Sequence, residues 1–307
     1  MPNHKKPKYK KKKDIETLKK VGFKDVRFKD KKMFLPNARK STNETKFSAI
    51  RMSEKIKFDG KQIEDVVVTN HNGEWYVSVT FKFETEQIKI PEKAESTAVD
   101  LNIKSFDFLV THNKGNKYGK FTILDKDLLK EYDKIKYYSK VISKKRNKNK
   151  DYKNSKSYNK VITKLNNAYT KAYNLQENKL NHIVNFLFEN YSTITIEDLD
   201  VNSMKMNKRL CKSLHRALFG RFKTKMNNKQ NEYEATLVIA DKFFPSTQRC
   251  SSCGHIKTGE DKLGLNGDRF GNKHNEYVCY NCGEIQERDK NAVNNLDWYG
   301  LNAISLV

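Results

Sequence analysis

The sequence predicts an α/β chain in which strands and helical stretches alternate around a mixed sheet. A small antiparallel β module precedes them, and a four-cysteine ribbon interrupts the chain near its C-terminal end. Three observations carry that prediction. Apolar and polar residues alternate over 76–83, and short β-branched or aromatic runs recur at 97–101, 106–111, 193–197 and 236–240. Apolar residues recur at helical spacing over 128–142 and 158–175. Two Cys-x-x-Cys pairs, Cys250 with Cys253 and Cys279 with Cys282, lie within one segment.

Residues 1–20 carry a run of like charges from Lys5 to Lys13 and too few apolar side chains to fold alone. They are expected to form a disordered basic tail, either solvated or phosphate-binding. Asp14 and Glu16 follow the run where a secretory leader would place an apolar segment, so it does not read as one. Residues 21–95 are expected to form the β module. Val66-Val67-Val68-Thr69, the turn His71-Asn72-Gly73-Glu74 and the alternating stretch from Tyr76 to Phe83 make its hairpin.

Residues 96–245 are expected to form the main α/β domain. Residues 97–101, 106–111 and 121–124 read as three strands. Leu128, Tyr132, Ile135 and Ile142, then Tyr158, Val161, Leu165, Ala168, Ala172 and Leu175, define the apolar stripes of a helical hairpin. Its tip contains Lys144, Lys145, Arg146, Lys148 and Lys150, either a solvated turn or a nucleic-acid contact. The strand 193–197 comes next, then a helix with Leu214, Leu218 and Phe222 on one face, then the strand 236–240. The ribbon is expected at 246–288 and a last helix-bearing segment at 289–307.

Of the 307 residues, 61 are Lys or Arg against 37 Asp or Glu, a net charge of +24. Such a field attracts phosphate backbones and displaces their counterions. Abundant Lys and Asn would also follow from an A/T-rich coding bias, so the charge is one sign among several. No stretch reaches the ~18 apolar residues of a membrane span.

The chain has five cysteines, four of them in the two pairs. Zn²⁺ takes soft or borderline ligands in a tetrahedron, and Cys-x-x-Cys lets two thiolates converge from one tight turn. Gly254 and Gly283 follow the second cysteine of each pair, where a knuckle needs positive φ. The connecting stretch 254–278 is longer than the usual ~15–20 residues. His255 and His274 are rival ligands, but four thiolates already close a structural site. In the cytosol, the compartment expected here, that pattern favours metal over disulfides. Cys211, in a helical stretch, reads as an inert thiol.

Three acids stand out against their surroundings. Strand alternation puts Ala98, Asp100 and Asn102 on one face, with Val99, Leu101 and Ile103 on the other. An isolated buried carboxylate is costly, so Asp100 should be paired or bind a metal. Glu197 ends its strand with the isoleucines on the opposite face, and Asp289 precedes a helical stretch. Singly, each has an ordinary alternative: a lysine partner for Asp100, a strand-end acid for Glu197, a helix cap for Asp289. Jointly, three acids from separate elements are what a two-cation phosphodiesterase requires. Spacing alone does not show that they meet.

Three segments, in order, resemble a known family. Ala98-Val99-Asp100-Leu101-Asn102-Ile103-Lys104 is similar to the first RuvC motif, and Ile194-Thr195-Ile196-Glu197-Asp198-Leu199 to the second. Residues 245–254 with Cys279-Tyr280-Asn281-Cys282-Gly283 and Arg288-Asp289-Lys290-Asn291-Ala292 are similar to a zinc ribbon joined to the third. Together they resemble TnpB, the OrfB-type transposon-encoded RNA-guided nuclease family related to type V CRISPR nucleases. The resemblance implies a RuvC-like RNase H fold with an inserted helical hairpin and zinc ribbon. It implies metal-dependent DNA cleavage by Asp100, Glu197 and Asp289 with catalytic Mg²⁺, structural Zn²⁺ on the four cysteines, and a guide RNA that selects the target by pairing. The basic hairpin and β module would contact guide and heteroduplex.

Two departures from the family pattern qualify what the resemblance implies. The family usually begins with a further N-terminal stretch, which points to a truncated copy or a part supplied elsewhere. Asn102 stands where the family generally has Gly; Asn tolerates positive φ better than most residues. A non-catalytic nucleic-acid-binding relic or regulator of the same family is the competing expectation, and a DDE-type transposase a weaker one.

Overall fold

The computed structural model describes residues 26–34, 49–54, 62–71, 74–82, 88–90, 92–102, 105–110, 117–148, 151–199, 218–264, 267–269 and 271–304. The tail 1–20, the turn pair Asn72-Gly73, Lys150, Cys211 and Leu214 lie outside the described residues. The chain divides into two compact units, Met1–Thr85 and Glu86–Val307.

In the first unit, β1 (Arg27–Lys29), β2 (Lys32–Phe34) and β3 (Ile50–Arg51) form a small antiparallel sheet. These strands are too short to show alternation in sequence. β4 (Gln62–His71) and β5 (Glu74–Lys82) form the expected hairpin, with His71 opposite Glu74 and an irregularity between Ile63 and Asp65. Val26, Met33 and Val66 make its buried core, with Val68, Val77 and Val79 packed against them.

The second unit is built on a five-stranded mixed sheet. Its strands are β6 (Ala94–Leu101), β7 (Ser105–Val110), β8 (Lys117–Thr122), β9 (Tyr191–Glu197) and β10 (Thr236–Ala240). The order is β10-β9-β6-β7-β8. β6, β9 and β10 are parallel, while β7 and β8 are antiparallel to their neighbours. A tight connection after β6 suits the antiparallel pairing, whereas reaching β9 needs a long crossover. The helical hairpin supplies that crossover.

That hairpin is α1 (Lys126–Lys148) and α2 (Lys156–Asn190). Asp125 Oδ1 accepts the Leu128 N–H at 2.9 Å, and Ser155 Oγ accepts that of Tyr158 at 3.4 Å, so each helix starts on a side-chain acceptor. α1 is longer than the apolar stripe suggests. Lys144, Lys145, Arg146 and Lys148 lie on its last turns rather than in a loop, where cations favour the helix C-terminus. α2 runs directly into β9. α3 (Phe219–Gln230) starts one residue after Leu218, which sits outside the helix with φ 64° instead of within it. The third strand is β8 at 117–122, ahead of the expected 121–124, because Gly119 and Lys120 mask its alternation.

The sheet has two unlike faces. Val99, Leu101, Ile194 and Ile196 turn one way and bury against Leu180, Ile183, Leu187, Phe219 and Phe222 of α2 and α3. Burying such side chains stabilises by about 1.5–3 kcal/mol each. Ala98, Leu109 and Ala240 turn the other way, against Val293 and Leu296 of α4 (Arg288–Ile304). Small and polar residues on this face let α4 approach closely. A Cβ on Gly300 would stand 1.9 Å from Thr195 Oγ1. Between β10 and α4 lies the cysteine segment with its short hairpin, β11 (Glu276–Val278) and β12 (Ile285–Glu287).

Candidate functional site

Asp100 lies on the α4 face of β6, with only 6% of its surface exposed. Val99 pairs with Ile196 in the parallel register, so one residue further along both strands Asp100 stands beside Glu197. Asp289, the second residue of α4, completes the group at a helix N-terminus, where the backbone dipole favours an anion. Burial, then the charges of Glu197, Asp289 and Asp107, push the Asp100 carboxyl well above its ordinary range, while Arg288 opposes them. Glu197 is raised as well, by burial, against the pull of its Ser246 hydrogen bond and of Arg288. Asp100 is thus within electrostatic reach of both other acids expected from sequence. Their oxygens are not gathered as tightly as the thiols: among the described residues, only the cysteine quartet has its ligand atoms all within 4.8 Å of one another.

Four further residues take roles here that the sequence did not assign them. Asp107 stands opposite Asp100 on β7. It carries the same signal as Asp100, an acid inside an apolar strand. Asn102 Nδ2 lies 3.0 Å from both Asp100 Oδ2 and Asp107 Oδ2. Asn102 does not adopt positive φ, so its side chain, not its backbone tolerance, accounts for its place here. Arg288 reaches Asp289 Oδ1 at 3.4 Å. Ser246 Oγ donates to Glu197 Oε1 at 2.5 Å. An open cleft of about 230 Å³ adjoins Asp289 and Asp107, lined also by Tyr118, Lys120, Glu287 and Lys290 among others.

The cysteines form two matching knuckles. Cys250 N–H donates to His255 O and Cys279 N–H to Glu284 O, each at 2.8 Å, and Gly254 and Gly283 both take φ 77°. Cys250 and Cys282 Sγ lie 3.8 Å apart, Cys253 and Cys279 Sγ 3.6 Å. A disulfide needs ~2.05 Å. A tetrahedron with Zn–S of ~2.3 Å has edges of ~3.8 Å. The backbone N–H of His255, then the Asn281 amide, holds the Cys253 thiol down at about 6, while burial raises Cys250. Against the pull of the Glu284 backbone N–H, hydrogen bonding to Cys253 raises Cys282. His255 is exposed, and neither it nor His274 belongs to the group.

Two fully buried asparagines of α4 bind the first knuckle to the acid site. Asn291 Nδ2 donates to Arg249 O at 2.7 Å while its Oδ1 accepts the Ser251 N–H at 2.9 Å. Asn295 Nδ2 donates to Ser246 O at 2.8 Å and to Arg249 O at 2.6 Å, and its Oδ1 accepts from Arg249 Nη1 at 2.8 Å. The Arg249 guanidinium lies 3.9 Å from the Trp298 ring centroid. At the hairpin tip, Lys145 Nζ donates to Ser157 Oγ at 2.8 Å and Arg146 Nε to Tyr158 OH at 3.0 Å.

These elements define a mixed α/β protein with an acid-bearing sheet face and a four-cysteine ribbon leading into the helix that carries the last acid. Comparison with known proteins gives the particular likeness. Residues 219–296, from α3 through the ribbon into α4, match the family described as Cas12f1-like, TNB domain. A Streptomyces pristinaespiralis protein, named as a proposed RNA-guided DNA endonuclease, is 32% identical over 111 residues. That match covers 36% of this chain and 25% of the relative. A Mycobacterium tuberculosis protein of the same naming is 25% identical over 142 residues, 44% of this chain and 28% of the relative. The matches therefore span about a quarter of these curated relatives. Among solved structures, a Cas12f1–sgRNA–target DNA complex superposes with a TM-score of 0.44 at 18% identity, over 76% of this chain and 55% of that one. The chain is similar to the RNA-guided endonucleases that its motifs resemble.

Proposed function

We propose that this chain is a metal-dependent DNA endonuclease of the RNA-guided, TnpB-like type, acting through a RuvC-like site. The observation that carries the reading is that the buried Asp100, on the sheet face that α4 covers, feels the charges of both Glu197 on the neighbouring strand and Asp289 at the start of α4. So much negative charge at a buried place is compensated when carboxylates share divalent cations, which suits Mg²⁺ with its preference for carboxylate oxygens and water. Bound there, Mg²⁺ would supply an activated water and stabilisation of the leaving oxygen. The chain's own part is to hold the carboxylates, to fix Glu197 through Ser246, and to temper the charge with Arg288.

The thiol spacing supports structural Zn²⁺ on Cys250, Cys253, Cys279 and Cys282. A guide RNA and a DNA target are proposed from the named relatives and the +24 charge. Lys144, Lys145, Arg146 and Lys148 on the last turns of α1 would contact their phosphates.

The test is cleavage of single-stranded or guide-paired DNA with Mg²⁺. Asp100→Ala should abolish cutting, and parental activity in that variant would remove the metal assignment. A non-catalytic nucleic-acid binder would instead bind with the same salt dependence and never cut.

A further inference from the structure

Asp107 and its lysine have no role in the reading above. Asp107 Oδ2 accepts from Asn102 Nδ2 at 3.0 Å and from Ser105 Oγ at 3.2 Å, and Oδ1 meets Lys120 Nζ at 3.0 Å. Asn102 carries the connection on to Asp100. Three donors thus serve one carboxylate. The exposures differ: the side chain of Asp107 is 14% exposed, that of Lys120 52%. The acid stands behind and the cation stands forward. An ammonium has three N–H donors and Asp107 takes one, which leaves two for a ligand.

Lys120 and Asp289 line the same cleft. Lys290, the other cation of that cleft, lies 5.2 Å from the Tyr118 ring centroid and 3.5 Å from Glu287. An acid-rich surface repels a polyanion, so a DNA strand reaching Asp289 needs a cation on the adjoining wall. We propose that Lys120, aimed by Asp107, contacts a backbone phosphate of a single DNA strand lying in the cleft beside Asp289. Asp107 is then a positioning residue, tied through Asn102 to the acid it faces. The inference rests on the nuclease reading for the identity of the strand.

The test uses the full chain and a short single-stranded DNA, with binding followed against salt and cleavage followed in Mg²⁺. Lys120→Gln should reduce the slope of log K against log salt by about 0.7, the loss of one single-strand phosphate contact. It should raise KM several-fold while kcat stays near the parent's. Lys120→Arg should keep both slope and KM, and Asp107→Asn should raise KM with Lys120 still present. A lysine that only neutralised Asp107 would lower thermal stability when removed and leave slope and KM alone; that result overturns the proposal. Binding needs no turnover, so a chain that never cuts sinks the nuclease reading while the slope still decides Lys120. An unchanged slope in a chain that cuts sinks Lys120 alone.

Discussion

Ser246 Oγ donates a 2.5 Å hydrogen bond to Glu197 Oε1, so the segment leading into the first cysteine knuckle ends on an acid of the candidate site. Asn295 fixes the same serine from the other side through its carbonyl. One residue therefore joins ribbon, helix and sheet.

Removing that hydroxyl should leave the fold intact and free the Glu197 carboxylate to rotate. Ser246→Ala is expected to lower Mg²⁺-dependent cleavage by about 10–100-fold, the usual effect of losing a partner that orients a metal-binding carboxylate. The check is a Mg²⁺ titration of the cleavage rate. An unchanged metal requirement would show that Glu197 needs no such support.

The ribbon should depend on its metal. Cys279→Ser is expected to lose bound zinc and to loosen residues 246–290, because the Arg249 carbonyl beside the first knuckle, held by both Asn291 and Asn295, loses its fixed geometry. Metal analysis and hydrogen exchange along the segment read the two effects. Full zinc content in this variant would contradict a four-thiolate site.

The buried acids give the Mg²⁺-free chain a definite pH dependence. Asp100 and Glu197 are raised in the fold, so above the ordinary carboxyl values of about 3.9 and 4.3 the folded chain holds more protons than the unfolded one. Stability therefore falls as pH rises from about 4 through the folded values, and the penalty is complete above them. Asp125, Glu131 and Glu177, lowered in the fold, act in the opposite sense and only at lower pH. Thermal melts from pH 5 to 8, without Mg²⁺ but with zinc retained so that the cysteines do not titrate, should show the decline. Asp100→Asn should flatten it and stabilise the chain at neutral pH by about 0.5–2 kcal/mol. A steeper decline in that variant would rule out burial of the charge as the cause.

Gly300 sets how closely α4 lies on the sheet. A methyl group there would collide with Thr195 Oγ1, so Gly300→Ala should destabilise by about 1–3 kcal/mol. It should also weaken cleavage, since the helix that shifts carries Asp289. Restoring room with Thr195→Ser relieves little, because the hydroxyl remains; Thr195→Gly in the Gly300→Ala background should recover part of the melting temperature.

Much of the site was legible residue by residue. Asp100 and Asp107 are acids inside apolar strands, and solvation makes such residues conspicuous wherever a chain is read. Asp100 is legible from the face it takes on its strand, whereas Asp107 reads only as part of the strand 106–111. The knuckles were legible from Cys-x-x-Cys-Gly, because the turn that converges two thiolates is local and needs positive φ at the glycine. The end of α1 and the start of α3 were not, since charged helical turns carry no apolar stripe and Leu218 leaves the helix through its backbone alone.

By itself, the sequence determined the local features: the strands, the apolar faces of the hairpin, the knuckle turns, the charge of +24 and the identity of the acids. Tertiary structure decided what those features do for one another. Register sets Asp100 beside Glu197 and opposite Asp107, and close packing of α4 through Gly300 brings Asp289 to them. Asn102, Ser246 and Lys120 acquire their partners only then. The physical reason is that strand pairing and helix packing depend on surfaces far apart along the chain, while propensity and turn chemistry act over a few residues.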